Sequence, residues 1–277
     1  MPGIRMRQFQ PNFRTLATAG LLAAVALLST GCDKLKARDN INSGTAAFKA
    51  GNFAEAADHF KLAQELDPKL PNVRIYLATA YLQQYIPGTN TPENKKYAQE
   101  AMEQLQETLK DDPNNLLATE YVANIYYQMN DFPKAEEWNK KVTQLDPKNK
   151  EAYYTLGVIP WTNFFQADRA ARFNEKMRPE DPGPLKDAKE KAELKEKYWG
   201  TLTQGLEDEK KALAIDPEYE NAMAYMNLLI RYRADLDDTK EQYEADIKEA
   251  NDWVDKNLQT MKIKAARKAA NPNAKTQ

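Results

Sequence analysis

Cys32 is the only cysteine and His59 the only histidine in the 277-residue sequence. Single copies exclude a disulfide framework, a multi-His/Cys metal site and any Cys–His or Ser–His catalytic pair beyond one. His59 reads as a surface or packing residue. The 41 acidic side chains could in principle furnish a glycosidase-type carboxylate pair about 5–9.5 Å apart, but no spacing points to one. Glu207, Asp208 and Glu209 read as a charge run on a solvated helix face. No Gly-rich phosphate loop and no Gly-x-Ser-x-Gly elbow occurs. Neither a metal nor a cofactor is therefore expected. Lys and Arg number 39, for a net charge of −2, and such a balance argues against nucleic acid as a partner. With 42% hydrophobic and 29% charged residues, the chain is not a polytopic membrane protein, since each span needs about 20 mostly apolar residues.

The surroundings of Cys32 suggest a use for it. Arg5, Arg7 and Arg14 precede 18 uncharged residues, Thr15 to Cys32. The apolar stretch Leu16–Leu28, followed by the small residues Ser29, Thr30 and Gly31, fits a secretory signal. The ending Leu28-Ser29-Thr30-Gly31-Cys32 resembles a bacterial lipobox, with Leu28 one place further from the cysteine than the usual pattern has it. The resemblance implies cleavage before Cys32 and its lipidation. Several acyl chains anchor stably where one does not. Loss of residues 1–31 removes three Arg and no acid, leaving a body with a net charge of −5. The expected address is the bacterial cell envelope, lipid-anchored and facing the periplasm or exterior, with 32–36 as the lipidated stem.

The remainder carries a repeat. Leu66-Asp67-Pro68 recurs as Leu145-Asp146-Pro147 and Ile215-Asp216-Pro217, and more weakly as Asp111-Asp112-Pro113. Small residues precede each stop, as at Gly44, Gly51, Ala56 and Ala63. These segments resemble tetratricopeptide repeats, each a pair of antiparallel helices ended by proline. The implied fold is an all-α superhelical solenoid of about five helix pairs over 37–260, with approximate repeats 37–70, 71–115, 116–149, 150–219 and 220–262. A basic C-terminal tail, 261–277, follows, its end at Asn271–Gln277 expected to fray. Repeats one and three are 34 residues long. Repeat two is lengthened around Tyr85–Pro92. Repeat four carries an insert between about Trp161 and Lys197, read as a helix over Phe164–Met177, the breaker run Arg178–Pro184, and one long helix over Leu185–Ile215.

In such domains the concave surface is lined by recurring positions of each first helix. Carrying that register over places Phe48, Asn72, Asn124, Tyr127, Tyr154, Trp161, Arg231 and Tyr232 on a partner-binding face. Aromatic rings give large contact area at low entropic cost, and the amides suit a peptide backbone. The basic clamp of the chaperone-binding subfamily places a lysine at the first repeat's fifth position. Ile41 stands there, so that partner class is not expected. In the insert, Arg169, Arg172, Lys176 and Arg178 form a basic stripe expected to pair with local acids, or else to meet anionic lipid. The expected function is a non-enzymatic membrane-anchored scaffold or adaptor that binds a protein or peptide segment. Two alternatives stand beside it: a cell-envelope enzyme, marked by a closed polar pocket of convergent carboxylates, and a lipid or small-ligand carrier roofed by 161–197.

Overall fold

The computed structural model describes residues 32–270, which form helices and connecting turns without a strand. The leader and the end of the tail lie outside the described residues. The helices are α1 (32–49), α2 (Phe53–Leu66), α3 (Val73–Leu82), α4 (Pro92–Asp111), α5 (Leu116–Gln128), α6 (Phe132–Leu145), α7 (Lys150–Asn174), α8 (Ala188–Ile215), α9 (Glu220–Ala234) and α10 (Lys240–Ala270). They form five consecutive pairs in an all-α repeat array. The chain divides into two compact units, one ending at Pro113 with two pairs, the other beginning at Asn114 with three.

The Asp-Pro dipeptides set the period. Asp67, Asp112, Asp146 and Asp216 are the helix C-caps, with φ between −142° and −131° and ψ between 87° and 96°. Proline forces this, because its Cδ disfavours the helical conformation in the residue before it. The Asp67, Asp146 and Asp216 carboxylates then accept from the backbone N–H two residues on, closing an Asx turn. Restart signals are equally local: Thr91, Asn115, Asp131 and Asn149 each accept from an N–H in the first turn of the next helix.

In the first unit, Phe60 packs with Ala47, Ala56, Leu77 and Ala80. The added residues of repeat two form a loop pinned by buried Asn94. Its amide donates to the Ile86 and Thr89 carbonyls (both 2.8 Å) and accepts from the Ile86 N–H (2.7 Å).

In the second unit, the core joins α7, α8, α9 and α10 through Phe164, Leu202, Leu206, Met226, Leu229 and Ala250. The insert differs from its sequence reading. No separate helix begins at Phe164; α7 continues through Pro160 to Asn174. The extra residues therefore lengthen α7 and α8 and join them by a strap, 175–187. Helices α7 and α8 cross at two glycines. A Cβ on Gly205 would lie 3.3 Å from the Gly157 carbonyl oxygen and from Pro160 Cγ, and one on Gly157 would lie 2.3 Å from Glu209 Oε1. Gly157→Ala should cost about 1–3 kcal/mol, the usual range for overpacking, measured by chemical denaturation. Most of that loss should vanish in a Glu209→Ala background, where the clashing carboxyl is gone.

Candidate functional site

The first helices of the three pairs in the second unit, α5, α7 and α9, carry a row of partly exposed aromatic rings. Tyr154 meets Tyr219 and Tyr225 edge-on at 5.5 and 5.4 Å; Trp161 meets Tyr225 at 5.5 Å and Tyr232 at 5.8 Å. Phe165 closes the row, 5.1 Å from Trp161 and 5.6 Å from Tyr232. These spacings are those of favourable edge-to-face pairs, so the rings hold one another in place. Tyr127 of α5 stands nearby: burial raises the Tyr154 and Tyr225 phenols, and the neighbouring phenols of this group further disfavour one another's ionisation.

Two clefts border the row. One, of about 420 Å³, is lined by Glu120, Asn124 and Tyr127 of α5, Asn139 of α6, and Asn149 and Glu151 at the start of α7. Its polar groups are already ordered. The Asn149 amide donates to Glu120 (2.5 Å), the Tyr219 hydroxyl donates to Glu151, and burial raises the Glu120 carboxyl. The other, of about 510 Å³, is lined by Phe165, Asp168, Arg169, Arg172, Tyr232, Asp235 and the strap residues Met177, Pro179, Glu180 and Asp181, among others. Arg169 stacks over Phe165 at 5.5 Å, and Arg231 donates to Asn251 at 2.7 Å.

At the base of the second cleft, Asp168 and Asp235 are 1% and 4% exposed. Burial raises both carboxyls. Asp168 is raised further by the charge of Asp235, while the Arg172 guanidinium beside Asp235 opposes the rise. Asp168 is therefore the more readily protonated of the two, and Asp235 is paired with Arg172 at 2.6 Å. The other arm of Arg172 donates to the carbonyls of Arg178 (3.2 Å), Pro179 (3.4 Å) and Asp181 (2.5 Å), which fixes the strap. Gly183 covers the pair from above: a Cβ there would stand 2.1 Å from Asp235 Oδ1. These carboxyls converge at the lining of the cleft, where the strap covers them in part and Arg172 engages Asp235.

The register-derived residues fall into two groups. Tyr154, Trp161 and Tyr232 join the ring row, and Asn124 and Tyr127 line the smaller cleft. Arg231 lines the larger cleft. Phe48 and Asn72 belong to the first unit. Phe48 packs edge-on against Phe53 at 5.2 Å and onto that unit's core. Asn72 caps α3 in the left-handed conformation, φ +62°. Cys32 is exposed where the described residues begin. His59 hydrogen-bonds Asn40 at 3.0 Å, a packing role. Of the insert's basic stripe, Arg178 pairs with the local acid Asp181 at 2.8 Å, Arg172 pairs with Asp235, distant in sequence, and Arg169 stacks over Phe165.

One expectation is corrected. Glu207–Glu209 is not a solvated run. Glu207 is exposed, but Asp208 is 5% and Glu209 0% exposed. Here α8 lies between α7 and α9, so only part of its circumference faces water. Glu209 sits against Gly157, neither of its oxygens finds a donor, and its charge is felt by Tyr154 and Tyr225. Burial, helped by the Asp208 carboxylate, pushes its carboxyl up to about 10. A single sequence offers one weak hint of this: Gly157 implies that something approaches α7 closely.

Comparison with known proteins agrees with this architecture. Residues 96–158 match the tetratricopeptide repeat family. No curated protein matches the sequence. Among solved structures, MamA 41-end from Desulfovibrio magneticus RS-1 is 17% identical, covering 82% of this chain and 96% of its own, with a TM-score of 0.54. The MamA RS-1 ArsTM double mutant is 16% identical over 83% of this chain and 97% of its own, with a TM-score of 0.55. A further MamA crystal structure is 13% identical over 87% and 97%, with a TM-score of 0.52. At these identities the likeness is one of fold.

Proposed function

We propose that this chain is a non-enzymatic scaffold that binds an extended or helical protein segment across the α5–α7–α9 face. The ring row from Tyr154 to Tyr232 carries this reading. It offers pre-ordered aromatic area on the face that helical-repeat arrays use for partners, bordered by clefts large enough for side chains. The enzyme reading has less support, because Glu209 is wholly buried and the Asp168–Asp235 pair, though it lines the larger cleft, is almost wholly buried and engaged by Arg172. Anchoring through a lipid on Cys32, and a place in the bacterial cell envelope, rest on the leader and belong to the same proposal.

Site-specific photo-crosslinking tests the face without truncating rings that also support the core. A photoreactive phenylalanine at Tyr127 or Tyr232 should yield one discrete protein adduct in intact cells. The same probe at the exposed Glu207 of α8 should yield none. Adducts from Glu207 alone, or none from either ring position, would place the partner elsewhere. In the same cells a radiolabelled fatty acid should label the wild-type protein and not Cys32→Ala; an unlabelled wild type would count against the lipid anchor.

A further inference from the structure

In a stacked array the second helix of each pair is covered by the first helix of the next, as α6 is by α7 and α8 by α9. Among the described residues no helix follows α10. Its inner side is occupied: Ala250 and Trp253 pack on the core, the Asn257 amide donates to the Glu220 carbonyl at 3.1 Å, and Lys264 donates to the Glu218 carbonyl at 2.8 Å. Beside that side runs a second stripe. Val254, Leu258 and Met261 are 36%, 49% and 52% exposed. Their 4–3 spacing continues to Ala265 and, one heptad back from Val254, to half-buried Ile247, which is the seam of a two-helix coiled coil.

Charge on α10 is segregated along its length. Residues 240–255 hold six acids and two lysines; 256–270 hold five basic residues and no acid. Such a helix is complementary to itself only when two copies run antiparallel. A two-fold axis then sets each acidic half against the other's basic half, in a self-complementary contact. Asp255 and Lys262 sit one heptad apart on the same flank of the stripe, and among the described residues neither is in an ion pair. Other charges of α10 are already matched, Lys248 to Asp252, Lys264 to Glu220 and Arg267 to Glu218.

We propose that α10 is a self-association surface: two copies of this chain pair antiparallel along Val254, Leu258 and Met261, with Asp255 of each copy facing Lys262 of the other. The proposal is independent of the ring face, which belongs to other helices. The contact is small, so the dimer is weak and reversible.

Sedimentation velocity of the full chain over a concentration series tests it, with circular dichroism confirming that each variant is folded. The wild-type chain should shift from monomer to dimer with concentration, and Leu258→Glu should remain monomeric. Asp255→Lys and Lys262→Asp should each weaken association about tenfold, since the two-fold axis turns two attractions into two repulsions. Combining both swaps should restore it. A wild-type chain monomeric at every concentration would overturn the proposal. So would folded single swaps that associate as the wild type does, or a double swap that stays as weak as the singles.

Discussion

Replacing Glu209 with glutamine should stabilise the protein at neutral pH. The carboxyl is fully buried, with a folded value near 10 against an ordinary 4.5. At pH 7 the unfolded chain carries it ionised, so folding must take up a proton, and the penalty from 4.5 to 7 is about 3 kcal/mol. The sign follows from the upward displacement. Between the unfolded and folded values the native state binds more protons, so stability falls as pH rises through that window. Glutamine keeps the shape and a donor, and needs no proton. Glu209→Gln should therefore raise the unfolding free energy by up to about 3 kcal/mol at pH 7. The advantage should shrink towards pH 4.5 and widen towards pH 9. Urea denaturation of both forms at three pH values would show this. Equal stability of the two at pH 8 would mean that the native carboxyl is ionised and solvated.

The second large effect is expected at Arg172. Its side chain and that of Asp235 are 13% and 6% exposed. Removing one partner from a buried pair leaves a charge without compensation, which typically costs 3–5 kcal/mol. Arg172→Ala should lower stability by about that amount and free the strap from the three carbonyl bonds that hold it. Trypsin should then cut after Lys176 far faster than in the parent; Arg178 precedes Pro179 and is not a cleavage site. Because the Asp168–Asp235 pair is left without its cation, the deficit should narrow as pH falls and the second carboxyl takes up a proton. A strap as resistant as before would show that the Leu185 N–H to Asp235 carbonyl bond (3.0 Å) and the cover over Asp235 hold it without the guanidinium.

The repeat architecture was legible because its causes are local. A residue before proline leaves the helical region wherever the pair occurs, and an Asp in that place adds its own turn, so four stops could be read directly. The placement of Tyr154, Trp161 and Tyr232 on the first helices of their pairs was legible too, since helical register places residues without knowledge of their neighbours. Burial of charge was not. Asp168 and Arg172 stand four apart, as on any solvated helix, and the carboxylate that makes them special, Asp235, lies 63 residues beyond Arg172. Glu209 sits in a run of three acids, of which only Glu207 faces water. The continuity of α7 was hidden for another reason. Pro160 removes one helical donor, but the packing of Phe164, Leu202 and Leu206 outweighs that loss.

Helical arrays ordinarily unravel from their ends, because each pair is held only by its neighbour. The Arg172–Asp235 bond changes that for the last pair. It ties the far end of α7 to the end of α9 across the whole of α8. Lys191 to the Asp237 carbonyl and Lys195 to Asp238, both at 2.8 Å, repeat the tie from α8. Residues 150–270 should thus melt in one step, with no fraying intermediate lacking α9 and α10. The buried ion pair thereby makes the end of the array as resistant to local opening, and to the proteases that exploit it, as its middle.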